Sequence, residues 1–350
     1  MELEKRIIAF AQLGTFLRQW LQQKELPKTL GMTKEYYQKI DDIVRKTEQQ
    51  NRWFTPENIK FALQAWSDIL TEENLKKWLE KYPTQYQIKK VGVIQAGNIP
   101  LVGFHDFLSV LISNHIFVGK TSSKDHILPL FLSEILVAIE PQFAEKIIWT
   151  ERLSDIDAII ATGSDNTARY FEYYFGKYPN IIRKNRSSWA ILTGEETKEE
   201  LQLLGEDIFR YYGLGCRNIS KIFVPDNYDF TPFFEAIASY KQVYNNNKYA
   251  NNYDYNSSIY LMNQTPHLSN GFLILKEDIK SHSPLSVVFY EYYSKLETVE
   301  SRIQTEKEQI QCVVSNNSKI KNTLAFGETQ KPHLWDYADN IDSLTFLTNL

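Results

Sequence analysis

The run VGVIQAGNIP, residues 91–100, decides the fold class of this chain. Residues 91–96 are mostly apolar, are too few for a helix, and are followed by a glycine, which is typical of a short strand buried on both faces. Gly97-Asn98-Ile99-Pro100 then ends the strand, because glycine and proline both interrupt regular structure. Ligands of open α/β sheets bind beyond the carboxyl ends of the strands. The run therefore predicts an α/β fold with a polar amide, that of Asn98, at its ligand-binding edge.

Segments after this run extend the α/β pattern. We predict helices over 104–111 and 128–139 and strands over 115–119, 146–149 and 158–161. A second unit is predicted to begin near Trp189, with a strand over 190–193, a helix over 198–212 and a strand over 222–225. Such alternation predicts mostly parallel sheets with helices on both faces.

Three other segments differ from this α/β pattern in composition. Residues 1–85 are rich in charge, and the apolar residues of 7–21 recur at helical spacing, which favours an amphipathic helix over a signal peptide. Residues 244–258 are rich in Asn and Tyr and are predicted to form a surface loop. The last apolar residues, from Leu344 to Leu350, are predicted to form a docked strand.

Composition excludes several classes of function. The net charge is −4 and no long basic stripe occurs, so nucleic acid is not an expected partner. No apolar run is long enough for a membrane span, and the six histidines show no metal-ligand spacing. Two cysteines make a disulfide framework improbable and fit a reducing, cytoplasmic compartment. No Walker loop and no G-x-S-x-G elbow occur.

Cys216 is the best candidate nucleophile. It ends the run Gly213-Leu214-Gly215-Cys216 between a predicted helix and a predicted strand, and glycines let the backbone approach a ligand closely. The neighbouring Arg217 favours the thiolate. The alternative is a buried cysteine that serves as a small apolar residue. Cys312 lies in an apolar, strand-like run and is assigned to the core.

Other candidates follow predicted strands. Asn98 is either a ligand-binding amide or a turn residue before a helix. Lys120 precedes Thr121-Ser122-Ser123-Lys124, whose hydroxyl and ammonium groups suit a ribose or phosphate; alternatively Ser123 caps the next helix. Gly163 and Ser164 follow the strand over 158–161 and could open a helix toward a pyrophosphate.

Taken in order, these motifs resemble those of the aldehyde dehydrogenase superfamily, whose members show W-N-x-P, L-K-P-[SA], F-T-G-S and G-Q-x-C. More narrowly, the chain is similar to the acyl-CoA reductase family that includes the long-chain fatty-acyl reductases of bacterial bioluminescence operons. The resemblance covers roughly residues 85–350. The motifs that carry it are G-N-I-P-L-V-G, K-T-S-S-K-D, A-T-G-S-D and the closing F-G-E-T-Q-K-P-x-L-x-x-Y-A-D-N-I-D.

The resemblance implies a role for each matched residue. Cys216 would accept the acyl group, and Asn98 would donate its amide to the oxyanion beside the Cys216 backbone N–H. Lys120 would touch the adenosine ribose, with Ser122 nearby, and Gly163 and Ser164 would lie by the cofactor phosphates. After the helical region predicted over 1–85, the resemblance implies a Rossmann-type cofactor domain over 86–188, a catalytic domain over 189–325 and a docking or oligomerisation segment over 326–350.

Two departures from the superfamily pattern bear on the reaction. Hydrolytic members carry a water-activating glutamate upstream of the cysteine, but here no Asp or Glu lies between Glu172 and Glu195. The cations of residues 181–188 suit either CoA phosphates or a solvated face. Members that prefer NAD often carry a glutamate where this chain has Ser123, followed by Lys124. A hydroxyl and an ammonium accept a 2′-phosphate, which favours NADPH over NADH.

The sequence thus predicts reduction of a fatty acyl-CoA thioester to an aldehyde through an acyl-cysteine. The alternatives are reduction of another activated acyl donor, namely an acyl-protein thioester or acyl phosphate, and a catalytically silent nucleotide-binding scaffold. Expected partners are an acyl-protein synthetase or acyl carrier and, because the family forms dimers, a second copy of this chain. No metal is expected.

Overall fold

The computed structural model describes residues 1–317 and 320–350, and at Asp165 the backbone alone. The chain divides into two compact units, one formed by residues 1–184 with 333–350 and the other by residues 185–332. Each unit has its own sheet and its own core.

Four helices open the first unit: α1 (Leu3–Leu21), α2 (Lys34–Gln50), α3 (Pro56–Ile69) and α4 (Glu72–Leu79). The apolar spacing of α1 buries Phe10, Leu13 and Leu17 on one face, as the sequence predicts. Threonine hydroxyls cap the next helices: Thr55 accepts from the Asn58 N–H at 3.3 Å and Thr71 from the Asn74 N–H at 3.2 Å. These caps satisfy backbone donors that the helix itself leaves without acceptors.

The sheet of the first unit is parallel throughout. Its strands and intervening helices are, in chain order, β1 (Lys90–Ile94), α5 (Phe104–Ile112), β2 (Ile116–Lys120), α6 (Ile127–Ile139), β3 (Ile147–Trp149), β4 (Ala158–Thr162), α7 (Asp165–Phe175) and β5 (Asn180–Arg183). The strand order is β3-β2-β1-β4-β5, so the order reverses between β1 and β4. Ligands of doubly wound sheets bind at such a switch point.

The second unit contains β6 (Ser187–Ile191), α8 (Lys198–Phe209), β7 (Ile219–Pro225), α9 (Thr231–Ala236), α10 (Asn247–Met262), β8 (Leu268–Ser269), β9 (Ile274–Glu277), β10 (Val287–Tyr293), α11 (Leu296–Glu306) and β11 (Ile310–Val314). The strand order is β11-β6-β7-β10-β9-β8, and only the β8–β9 pair is antiparallel among the strands described. Trp189 and Phe223 pack together in its core. A Thr197–Glu200 capping box starts α8, as expected for a Thr three residues before a Glu.

The prediction of a surface loop over residues 244–258 was wrong, because α10 occupies most of that segment. Asn246 caps the helix by accepting from the N–H groups of Lys248 and Tyr249. Asn252 and Asn256 donate their side-chain amides to carbonyls one turn earlier, at 2.7 and 2.9 Å. An Asn-rich composition therefore supports a helix here, because the amides find acceptors within it.

The predicted C-terminal strand was also wrong, because α12 (Ser343–Thr348) forms there. Asp342 caps this helix by accepting from the Thr345 N–H at 2.9 Å. Leu344 and Leu347 lie three residues apart and are both fully buried in the first unit, so the spacing was helical. Trp78 donates to the Tyr337 hydroxyl at 2.7 Å, which ties the returning segment to α4.

Candidate active site

The sheet edge of the first unit collects the candidate residues that follow its strands. Ile94 at the end of β1 pairs in register with Lys120 at the end of β2 and with Ala161 near the end of β4. Because these strands are parallel, the Asn98 loop, Lys120 and the Gly163-Ser164 turn share the carboxyl edge. The sequence predicted this arrangement from strand ends alone.

The loop that follows β1 packs directly on the loop that follows β2. A Cβ atom at Gly97 would lie 2.5 Å from the Ser122 Oγ and 3.2 Å from the Asp125 backbone nitrogen. The Gln95 N–H also donates to the Lys120 carbonyl at 3.0 Å. Gly97 is therefore required by the close approach of the two loops, and half-buried Asn98 comes directly after that contact.

The loop over residues 121–125 is fastened from the side by α2. The Gln50 amide donates to the Ser123 carbonyl at 2.7 Å and the Asn51 amide to the Lys124 carbonyl at 3.2 Å. The side chains of Ser123 and Lys124 remain exposed. His126, not Ser123, is the residue that precedes α6, so the alternative that Ser123 caps this helix is wrong.

Asp125 is a residue that the sequence reasoning missed. Its carboxylate is buried, and Oδ2 accepts from the Leu101 N–H at 2.7 Å. Leu101 has a φ of 60°, a left-handed conformation that is uncommon for a side chain of this kind. Burial raises the pKa of Asp125 to about 7. The signal in the sequence was an Asp that follows Ser122-Ser123-Lys124 and precedes an apolar helix.

Gly163 and Ser164 open α7, as the sequence suggested. Ser164 precedes the helix and its Oγ accepts from the Thr167 N–H at 3.4 Å. The Gly163 N–H donates to the Arg183 carbonyl at 3.3 Å, which joins this turn to the end of β5. The first-turn N–H groups of a helix are donors suited to an anion.

The cations of residues 181–188 do not form one surface. Arg183 is buried and its guanidinium binds the buried Asp106 carboxylate at 2.6 Å. Both predictions for this residue, a solvated surface position and a contact with CoA phosphates, were therefore wrong. Lys184 is exposed and pairs with Glu172 at 2.9 Å. In the second unit, Arg186 donates to the Ile310 carbonyl at 3.3 Å.

Cys216 lies in the second unit, on the turn that leads into β7. The Asn218 N–H donates to the Gly215 carbonyl at 3.0 Å and the Gly215 N–H donates to the Asn218 Oδ1 at 2.8 Å. The Asn218 amide nitrogen also donates to the carbonyls of Asp207 and Arg210, at 3.0 and 2.8 Å, at the end of α8. Asn218 therefore fixes the turn and the helix end together; sequence reasoning missed it, although it stands two residues after the cysteine.

The backbone before this turn is strained. Tyr211, Tyr212 and Gly213 have φ values of 54°, 60° and 80°, so three consecutive residues are left-handed and two of them carry bulky side chains. Such conformations cost of order 1–3 kcal/mol per non-glycine residue and persist only where the surroundings hold them. The predicted helix over 198–212 ends earlier, at Phe209, because of this reversal.

Ser188 on β6 links the Cys216 turn to Cys312 on β11. Its hydroxyl donates to the Cys216 carbonyl at 2.9 Å and lies 3.1 Å from the Cys312 sulfur. Burial raises the pKa of Cys312 to about 11, so its thiol is protonated at neutral pH. Both cysteines are half-buried, so exposure does not separate them; the raised pKa of the Cys312 thiol and its contact with Ser188 fit a structural role for Cys312.

Glu196 lies at the opposite end of β6 from the Cys216 turn. Glu196 accepts from the N–H groups of Thr193, at 2.5 Å, and Gly194, at 3.0 Å, beyond the carboxyl end of β6. Ser188, which contacts the Cys216 turn, lies at the amino end of the same strand. At about 3.3 Å per residue, the five residues from Ser188 to Thr193 separate the two by roughly 16 Å.

A third buried carboxylate, Asp207, is fully engaged. It accepts from the N–H groups of Gly327 and Thr329 and from the Thr329 hydroxyl, at 2.7, 3.1 and 2.7 Å. Burial raises its pKa to about 6. Asp207 thus anchors the F-G-E-T motif on α8. Among the described residues, which leave out 318, 319 and the side chain of Asp165, no group of three or more His, Cys, Asp or Glu residues could hold a metal ion. Within the same described residues, no helix is long and apolar enough to cross a membrane.

Comparisons with known proteins identify the fold. No protein-family model matches the sequence, and a search of curated proteins finds no match either. Among solved structures, the chain is similar to aldehyde dehydrogenase 21 from Physcomitrella patens, in complex with the reaction product succinate, with 13% identity, a TM-score of 0.63 and coverage of 91% of this chain and 74% of that one. It is also similar to the P. syringae indole-3-acetaldehyde dehydrogenase AldA in complex with NAD+, with 12% identity, a TM-score of 0.62 and coverage of 91% and 73%.

A third similar structure is an NADP-dependent enzyme from E. coli, with 13% identity, a TM-score of 0.57 and coverage of 91% of this chain and 80% of that one. At these identities the likeness establishes the architecture. The chain therefore has the aldehyde dehydrogenase fold, with a Rossmann-type parallel sheet in its first unit and an α/β unit that carries Cys216 in its second.

Proposed function

We propose that this protein is a cysteine-dependent reductase that uses NADPH to reduce a fatty acyl thioester, such as an acyl-CoA, to the aldehyde. The observation that carries the proposal is the Cys216 turn: a half-buried thiol on a turn that Asn218 and Ser188 fasten, in a fold shared with aldehyde dehydrogenases. The choice of reduction over aldehyde oxidation rests on where the carboxylates lie.

In the proposed reaction, the Cys216 thiolate attacks the carbonyl carbon of the thioester, a carbon–sulfur bond forms, and the CoA thiolate leaves. The resemblance to the superfamily implies that the Asn98 side-chain amide and the Cys216 backbone N–H would be the donors to the oxyanion, which concentrates negative charge only as the reaction proceeds. When bound, the nicotinamide cofactor supplies the hydride that reduces the acyl-cysteine. The resulting thiohemiacetal then releases the aldehyde, and its carbon–sulfur bond breaks to restore the Cys216 thiolate.

The cofactor assignment is supported by the carboxyl edge of the first sheet. Lys120 and Ser122 would hold the adenosine ribose, and Gly163 and Ser164, at the start of the 11-residue helix α7, would lie by the phosphates. These residues fit a dinucleotide, since the Gly97–Ser122 approach leaves the loop backbone compact and the α7 N–H groups are suited to an anion. The exposed hydroxyl of Ser123 and ammonium of Lys124 favour the 2′-phosphate of NADPH.

The reaction direction is supported by the distance of roughly 16 Å along β6 between the Ser188 contact and the Glu196 turn. A water molecule needs a positioned base to attack an acyl-cysteine, and Glu196 is already bound to its own turn. A thiolate leaving group with a pKa of about 8.5 needs little acid assistance. The acyl-cysteine should therefore react with hydride or with a thiol rather than with water.

The test is acyl-CoA-dependent oxidation of NADPH, followed by absorbance, in wild type and in Cys216→Ala. Cys216→Ala should abolish turnover while NADPH still binds. Cys312→Ala is the matched control, since it removes the other thiol and should retain most turnover. Turnover of Cys216→Ala at the wild-type rate would contradict the proposal. An acyl phosphate supplied in parallel distinguishes the acyl donor.

A further inference from the structure

We propose that Asp125 is a positioning residue that couples the loop predicted to bind the cofactor to the loop that carries Asn98. The proposal rests on the proposed function, since it concerns how Asn98 is held for the oxyanion. All the contacts that carry it lie within the first unit.

The central contact is a hydrogen bond between the two loops. The Leu101 N–H, three residues after Asn98, donates to the Asp125 Oδ2 at 2.7 Å, and the Asp125 side chain is only 2% exposed. Leu101 adopts a left-handed φ of 60°, which its surroundings must enforce because the conformation is unfavourable for a residue with a Cβ. The Asp125 carboxylate is the acceptor that fixes the backbone at this residue.

A second contact holds the other end of the Asn98 loop. Gly97 packs on Ser122 so closely that a Cβ atom would lie 2.5 Å from the Ser122 Oγ. Ser122 and Asp125 form a β-bridge, and the Asp125 N–H donates to the Ser122 carbonyl at 3.1 Å. The segment from Gly97 to Leu101 therefore contacts the segment from Ser122 to Asp125 at both of its ends, by packing at Gly97 and by a hydrogen bond at Leu101. A shift of the second loop must move Asn98.

The remaining oxygen of Asp125 makes this carboxyl costly to bury. Oδ1 is buried and has no hydrogen-bond partner among the residues that the structure describes. A buried carboxyl with one donor is costly, because burial of a charge or polar group must be compensated by hydrogen bonds. A neutral side chain whose polar atoms all made hydrogen bonds could occupy this position at a lower free-energy cost of burial. The hydrogen bond that the other oxygen accepts from the Leu101 N–H is the contact through which Asp125 acts on the loop.

The kinetic test compares Asp125→Ala with Asn98→Ala. Removing one oxyanion donor typically lowers kcat by about 10²–10³, so Asn98→Ala should lose this factor. Asp125→Ala should lose a similar factor, and the double variant should be no slower than the slower single variant, because both changes remove the same interaction. Asp125→Asn keeps an acceptor for the Leu101 N–H and should restore kcat to within about threefold of wild type.

The matched control is Asp157→Ala. Asp157 also accepts from a backbone N–H, that of Lys90, at 2.7 Å, but at the amino end of β1. This control should leave kcat within about threefold of wild type, since it does not touch the Asn98 loop. Additive losses in the Asn98/Asp125 double variant would overturn the proposal, as would wild-type kcat in folded Asp125→Ala.

A second measurement does not depend on turnover. NADPH should slow amide hydrogen exchange of residues 97–103 in wild type. In Asp125→Ala this added protection should disappear while NADPH still protects the loop over 120–124. Absence of added protection in wild type would overturn the coupling even if Asp125→Ala did not fold, and undiminished protection in Asp125→Ala would do the same. If wild type bound NADPH with this protection but reduced no acyl thioester, the proposed function would fail and the coupling would stand.

Discussion

Replacing Arg183 with Met should destabilise the first unit strongly, because Arg183 is the charged partner of a buried carboxylate. Arg183 and Asp106 are 3% and 5% exposed, and their ion pair is 2.6 Å long. The Arg183 guanidinium also donates to the Ser343 hydroxyl at 3.0 Å, so it joins β5, α5 and α12. Asp106 Oδ1 has no partner in the described part of the chain, and the variant would leave the whole carboxylate without a counter-charge.

The expected magnitude follows from that environment. Removing one partner of a buried ion pair typically costs about 3–5 kcal/mol. The pair is almost fully screened from solvent, so we expect Arg183→Met to lower the free energy of unfolding by about 4 kcal/mol. Lys184→Met is the matched control, because its pair with Glu172 is 55% and 50% exposed. Exposed pairs contribute about 0–1 kcal/mol.

Urea unfolding followed by tryptophan fluorescence measures this loss. Six of the seven tryptophans lie in the first unit, so the signal reports mainly on it. The double variant Arg183→Met/Asp106→Leu should recover most of the stability, because replacing both charges by apolar side chains is often neutral. A loss below about 1 kcal/mol in Arg183→Met, or no recovery in the double variant, would refute the view that a desolvated charge pair organises this edge.

Three further predictions concern pH, the cysteine turn and cofactor choice. Burial raises the pKa of Asp125 from 3.8 to about 7, so the folded state loses stability as pH rises from 3.8 through about 7. Asp125→Asn should therefore raise the melting temperature relative to wild type at pH 8 but not at pH 4. A difference in melting temperature that does not depend on pH would contradict this. Asn218→Ala should lower kcat at least about tenfold with unchanged NADPH binding, since it frees the Cys216 turn, and unchanged kcat would show that the turn needs no such anchor. Ser123→Glu should shift the ratio of kcat/KM for NADPH to kcat/KM for NADH toward NADH by about tenfold or more, because a carboxylate repels the 2′-phosphate. An unchanged ratio would show that the 2′-phosphate does not bind at Ser123.

Short apolar strands followed by glycine were predictable because burial on both faces leaves a continuous apolar run. Residues 91–96 and 158–161 both lie on or next to observed strands. Helix ends and capping segments were less predictable. The Asn-rich helix α10 and the short helix α12 depend on asparagine amides and an aspartate cap that bind nearby backbone groups, and composition alone favours loops for such residues.

Asn98, Lys120 and Gly163 were predictable as residues of the carboxyl edge of the sheet, because each follows a strand in sequence. Asp125, Asn218 and Ser188 were not, because their importance lies in hydrogen bonds to backbone atoms of distant or reversed segments. Local sequence can mark such a residue by its position, but it does not identify the backbone group that the residue binds. Arg183 was assigned to a surface for the same reason: Asp106, its counter-charge, stands 77 residues away.

The most direct test of the central claim is mass spectrometry of the protein after incubation with a long-chain acyl-CoA in the absence of NADPH. We expect one acyl group per chain, located on the peptide that contains Cys216, absent in Cys216→Ala, and removed as aldehyde when NADPH is added. Little free acid should form before that addition. An acyl group on Cys312, or steady release of carboxylic acid without NADPH, would contradict the account.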